Sequence, residues 1–196
     1  VHPAGEREAV PTKLLCIPVL CAPLAAVLLV FGWFQPREHV ASSRIELRVP
    51  PAAVWALITD HPGMTAWRTG LEKVERGPDQ DGKPVWIETS GFGPMPLCVH
   101  AMEPPRPSRL LIAADDLGFG RTWTYEIEPA GPRSGTPTAP AAEGSGCRLT
   151  ITEDGFVDSI LFRALGPFMG GHHAAMDQYL RDLATALDQS AEPVHV

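Results

Sequence analysis

The sequence predicts an α+β domain, an antiparallel curved sheet of about seven strands wrapped on a long C-terminal helix, preceded by one transmembrane helix. Three observations predict it. An uncharged apolar run fills residues 14–34. A series of short alternating segments follows, separated by hairpin-type turn residues. A stripe of apolar residues at spacings of three and four then closes the chain.

The bulk numbers suit one domain with appendages: 196 residues, 44% hydrophobic and 20% charged, enough apolar material for a real core. The formal charge of −7 supplies no basic field to collect phosphates, so no nucleic-acid partner is expected.

After a tail at 1–13, residues 14–34 read LLCIPVLCAPLAAVLLVFGWF. A helix of that length rises about 1.5 Å per residue and crosses a hydrocarbon core of about 30 Å. Lys13 closes one end, Trp33 suits an interface, and Pro18 and Pro23 are better tolerated in lipid than in a soluble helix. A cleaved signal peptide is the competing reading. Its apolar region is normally about 7–15 residues and ends at small residues, whereas this run is longer and ends in Phe31-Gly32-Trp33-Phe34. A single-pass N-terminal anchor is therefore expected. Basic residues stand on both sides (Arg7 and Lys13; Arg37, Arg44 and Arg48), so charge favours neither orientation.

A linker at 35–41 leads into a domain at 42–188. Residues 42–49 alternate, with Ile45, Leu47 and Val49 on one face, which is a strand. Pro51 is placed to open a helix carrying Val54, Leu57 and Ile58 on one side, and His61-Pro62-Gly63 breaks it. A short helical turn over 64–68 precedes strands at 71–76, 85–90, 97–103, 109–114, 122–128 and 147–153. The turn residues between them imply antiparallel neighbours. Residues 130–146 are Pro, Gly, Ser, Thr and Ala without apolar pattern, a flexible loop. Glu153-Asp154-Gly155 reads as a strand-end turn. Helix follows from 156, is interrupted at Gly166-Pro167, and continues from 168 to 187, with Met176, Tyr179, Leu180, Leu183 and Leu187 forming its stripe. Residues 189–196 are a tail. Cys98 and Cys147 fall in separate strands, where buried thiols or a disulfide are both compatible with the pattern; no zinc-type spacing is present.

The run RIELRVPPAAVWALITDHPGMTAWRTGLEKVER over 44–76, with Pro51, Val54-Trp55, Asp60 and Trp67 at its marked places, resembles the START-like or SRPBCC superfamily of polyketide cyclase/dehydrase and lipid-transport-like proteins. The resemblance spans about 42–188 and implies a helix-grip fold with a cavity between sheet and last helix. It implies a hydrophobic small molecule or lipid as the partner; engagement of the membrane through 14–34 is expected from the apolar run, which lies outside the shared region. The alternative it implies is a polyketide cyclase/dehydratase-like enzyme using acid/base residues in that cavity.

Strand parity then nominates inward residues: Trp123, Tyr125 and Ile127 on one strand, Cys147, Leu149 and Ile151 on another. Trp67, Trp86, Trp123, Tyr125, His173 and Met176 are the expected ligand-binding set. Glu88, His100 and His173 are candidate acid/base groups; Glu88 shares a face with Trp86 and would titrate high if desolvated. His172 and His173 point about 100° apart on a helix, so one of them at most can face the cavity. No nucleophile elbow, phosphate loop, dinucleotide or zinc-protease motif occurs, and neither a metal nor a cofactor is expected.

Overall fold

A computed structural model describes residues 16–101, 108–114, 118–130 and 146–196. Helix α1 (Cys16–Phe34) leads into strand β1 (Glu38–Leu47), helix α2 (Pro51–Thr59) and a 3-10 turn (Pro62–Ala66). Strands β2 (Leu71–Arg76), β3 (Val85–Ser90), β4 (Gly93–Ala101), β5 (Ser108–Ala114), β6 (Phe119–Pro129) and β7 (Cys147–Val157) follow. The chain ends with α3 (Ile160–Leu165), a second 3-10 turn (Gly166–Met169), α4 (Ala174–Ala186) and a two-residue β8 (Val194–His195). All pairings are antiparallel, in one sheet of order β2-β3-β4-β5-β6-β7-β1-β8. This is the α+β, helix-grip arrangement.

Alternation builds the inner face. Ala41, Ser43, Ile45 and Leu47 of β1 lie opposite Glu153, Ile151, Leu149 and Cys147 of β7, and all eight are buried. Trp123 and Tyr125 of β6 stand beside Glu153 and Ile151, and Leu97 and Val99 extend the face on β4. Helix α4 covers it with Met176, Tyr179, Leu180 and Leu183, and α2 adds Val54 and Ile58. Each fully buried Leu or Ile contributes about 1.5–3 kcal/mol of transfer energy. Asp182 on α4 is buried but satisfied: it accepts from Thr69 N at 2.7 Å, Thr69 Oγ1 at 3.0 Å and Gln178 Nε2 at 2.8 Å. Those bonds pin the 62–69 segment to the helix.

Several boundaries differ from expectation. β1 starts at Glu38, so most of the expected 35–41 linker is strand, paired with Phe156 down to Glu153. β7 runs on to Val157, and the expected turn at Glu153-Asp154-Gly155 is mid-strand, because both neighbouring strands are long enough to pair with it. The expected helix from 168 to 187 is shorter. Gly170 and Gly171 adopt φ of 90° and 66°, left-handed values that end the 3-10 turn and delay α4 to Ala174. The 189–196 tail contributes β8, which pairs Ser43 with His195. The sheet accordingly counts eight strands. Cys98 and Cys147 are buried free thiols. The 1–13 tail and most of the 130–146 loop lie outside the described residues, as do residues 14 and 15 of the apolar run.

Among the described residues no helix is long and apolar enough to cross a membrane; in α1 the described side chains begin at Pro23. The end of α1 packs on α3. Gly32 is buried, and a Cβ there would stand 2.2 Å from Ile160 O and 3.0 Å from Ala164 Cβ, so glycine is what permits the approach. Phe31 lies 6.3 Å from Phe168, and Arg163 Nη1 donates to Gln35 O at 3.1 Å.

Candidate functional site

A cavity of about 580 Å³ opens between the sheet and the α3–α4 segment. Its walls are mostly apolar: Met95 and Phe92 from the β3–β4 hairpin, Phe119 and Phe156 from β6 and β7, and Phe162 from α3. One corner is polar and holds His39, Arg121, Glu153 and His172.

Glu153 is the centre of that corner. Its strand places it between Ala41 and Trp123, and it is only 3% exposed. A carboxylate so buried must be compensated. Oε2 accepts from Trp123 Nε1 at 2.5 Å and lies 3.5 Å from Arg121 Nη1, while Oε1 is 2.9 Å from His39 Nε2. The carboxylate is thereby oriented, with one oxygen held from within and the other shared with the cavity wall. His39 lies flat across β7 because its strand partner is Gly155, where a Cβ would meet the ring at 2.8 Å. The His172 ring stacks on His39 at 3.5 Å, 18° from parallel. Burial, then the neighbouring His39, lower the His172 pKa. Arg121 lies over the Trp123 ring at 5.7 Å, and its buried Nε has no hydrogen-bond partner among the described residues.

A second polar group sits beside Tyr179 of α4. Arg68 Nη1 meets Glu88 Oε1 at 2.5 Å and stacks over Tyr179 at 5.1 Å. Burial alone would lower the Arg68 pKa, but Glu88 holds it above its usual value. Burial, and then the adjacent Tyr179, push the Tyr125 phenol well above its usual range. A third group joins β1, α4 and β8. Ser43 Oγ donates to Asp177 Oδ1 at 2.7 Å and lies 3.2 Å from His173 Nδ1; His195 Nε2 is 2.9 Å from Asp177 Oδ2 and stacks on His173 at 3.8 Å.

The expected site residues are therefore spread over different neighbourhoods. Glu88 is not an isolated desolvated carboxylate but half of an ion pair with Arg68. His173 faces Ser43 and His195, away from the cavity wall, and it is His172 that lines the cavity. The side chain of His100 lies outside the described residues. Trp123, Tyr125 and Met176 are core, Trp67 packs edge-on against Tyr179 at 5.2 Å, and Trp86 stacks on buried His61 at 5.0 Å. None of the six expected ligand residues lines the cavity, although Trp123 reaches it through Glu153. His39, Arg121 and Glu153 were not anticipated. Parity held the signal: one more step along Trp123–Tyr125–Ile127 gives Arg121, and one more along Cys147–Leu149–Ile151 gives Glu153.

A family model described as "Polyketide cyclase / dehydrase and lipid transport" matches residues 38–192. Among solved structures, norcoclaurine synthase from Thalictrum flavum, as a point mutant in complex with a transition-state analogue, is similar at 12% identity and a TM-score of 0.57. That match covers 76% of this chain and 94% of that one. A START superfamily protein from Mycobacterium smegmatis matches at 15% identity and a TM-score of 0.52, over 76% and 94%. A conserved protein from Geobacillus kaustophilus matches at 16% identity and 0.52, over 80% and 100%. At these identities the likeness is one of fold. No curated protein sequence matches the chain.

Proposed function

Because the chain belongs to the polyketide cyclase / dehydrase and lipid transport family, we propose that it binds a hydrophobic small molecule or lipid in the cavity over His39 and Glu153. The observation that carries this reading is the cavity itself. Its size, about 580 Å³, falls in the usual range for small-molecule sites, and its walls are apolar with one polar corner. The bound molecule would lay an apolar body against Phe119, Phe156 and Phe162 and turn an oxygen toward the Arg121–His172 corner. Arg121 Nε, a buried donor without a hydrogen-bond partner among the described residues, favours an accepting group there.

The reading includes a bilayer as the place where the ligand is taken up, with residues 14–34 as the anchor. Trp33, Phe34, Phe92, Phe162 and Phe168 are all exposed, and all belong to α1 or to the elements around the cavity mouth. Large exposed apolar groups are costly in water and suit an apolar phase. The test is to purify the full chain in detergent, extract it with organic solvent and identify the extract by mass spectrometry. One species retained in stoichiometric amount, and lost when Ala175→Trp narrows the cavity, is expected. An empty protein that also fails to bind a panel of lipids and apolar small molecules refutes the reading.

A further inference from the structure

Three groups of the kinds that ligate transition metals converge in the cavity corner from distant parts of the chain: His39 on β1, Glu153 on β7 and His172 on the turn before α4. Their ligand atoms all lie within 4.8 Å of one another. In a tetrahedral zinc site, with bonds of about 2.0–2.2 Å, neighbouring donor atoms stand about 3.3 Å apart. His39 Nε2 and Glu153 Oε1, at 2.9 Å, already have nearly that separation. Closing the rest requires the two rings to tilt out of their stack. His172 is exposed and follows two left-handed glycines, so it has room to do so.

The surroundings support chelation. Glu153 is held from behind by Trp123 Nε1 and Arg121 on Oε2, which leaves Oε1 directed at His39. Such outer bonds fix the orientation of a ligating carboxylate. The ion would take the place between Nε2 and Oε1, with the positive Arg121 on the opposite oxygen. Both His39 and His172 line the cavity, so a fourth position would open into it.

We infer that His39, Glu153 and His172 form a binding site for a late first-row divalent metal ion of the zinc class, with one coordination position open to the cavity. Two imidazoles and a carboxylate suit zinc, copper, nickel or iron rather than magnesium or calcium. Three protein ligands with an open position are the pattern of sites that present the ion to a bound molecule. An oxygen of the cavity ligand is the natural fourth donor, but the inference stands on the three side chains alone.

The test uses the full chain in detergent, stripped with chelator and titrated with Co²⁺, followed by visible absorption, with Zn²⁺ as competitor. Expected are one ion per chain, a tetrahedral-type cobalt spectrum, and displacement by Zn²⁺. His172→Ala, an exposed position whose loss leaves the core intact, is expected to weaken binding by at least ~10-fold; His39→Ala and Glu153→Gln should do the same. His195→Ala, in the separate Ser43–His173–Asp177 group, is expected to leave binding unchanged. The inference is overturned if His172→Ala binds Co²⁺ as the parent does, if His195→Ala abolishes binding, or if no tetrahedral spectrum forms. Thermal unfolding of each variant gives an independent readout: at a Zn²⁺ concentration near the parent's Kd, the midpoint of the parent and of His195→Ala should rise, and that of His172→Ala should rise far less.

Discussion

Gly155→Ala tests whether a bare backbone is what seats His39 in the cavity wall. A Cβ at 155 would lie 2.8 Å from His39 Cε1, 3.0 Å from its Nε2 and 3.0 Å from Gly120 O. The carbonyl belongs to a paired strand and yields little, so the ring must swing away. It then gives up its bond to Glu153, and a hydrogen bond to a charged group contributes about 1.5–3 kcal/mol. The stack on His172 is lost with it. Alanine offsets part of this by restricting the unfolded chain, by about 0.4–1 kcal/mol. The net expectation is a destabilisation of about 1–2 kcal/mol. In a His39→Ala background there is no ring to displace, and the same change should be near neutral. Urea denaturation of the four chains of this cycle, followed by tryptophan fluorescence in detergent, measures the coupling. The expected value is about 1–2 kcal/mol. Additive effects, within about 0.5 kcal/mol, would show that Gly155 does not seat His39 and refute the reasoning.

His61 is 2% exposed and neither ring nitrogen has a hydrogen-bond partner among the described residues; burial, then Arg68, lower its pKa from 6.5 to about 4. Above pH 6.5 both folded and unfolded chains hold it neutral. As the pH falls toward 4 the unfolded chain takes up a proton that the folded chain refuses, so stability is lost across that window, by about 2 kcal/mol at pH 5. His61→Phe, which keeps a ring on Trp86, should remove that loss in denaturation curves at pH 7 and pH 5. Glu88→Gln leaves Arg68 half-buried without its counter-charge and is expected to cost about 2–3 kcal/mol, whereas Arg68→Met with Glu88→Leu should come close to neutral. Burial pushes the Cys147 thiol up to about 11, so alkylation at neutral pH should modify it only after denaturation, as peptide mass spectrometry can read.

The sheet was legible because alternation and turn residues are local signals. Ile45 and Leu47, or Trp123 and Tyr125, announce their face without help from the rest of the chain. The site was not, and for a physical reason. His39, Gly155 and Glu153 are polar or small residues at positions where the apolar pattern stops and a turn reads equally well. Only pairing with a neighbour reveals them as strand: Glu153 is held in β7 by Ala41 and Trp123, residues 112 and 30 positions away. His172 and His173 present the same difficulty. Sequence spacing separates them by direction but does not say which one meets the cavity; the two glycines before them, with their left-handed backbone, decide it. Asp182 is a charged residue on an amphipathic helix and yet a buried clasp, because its partner Thr69 lies in another element.

The close seat of Gly32 on α3 ties the last turn of α1 to the segment that bears Phe162 and Arg163 of the cavity wall. Any side chain at position 32 would press on Ile160 O and Ala164, and so would disturb the wall of the cavity as well as the helix contact.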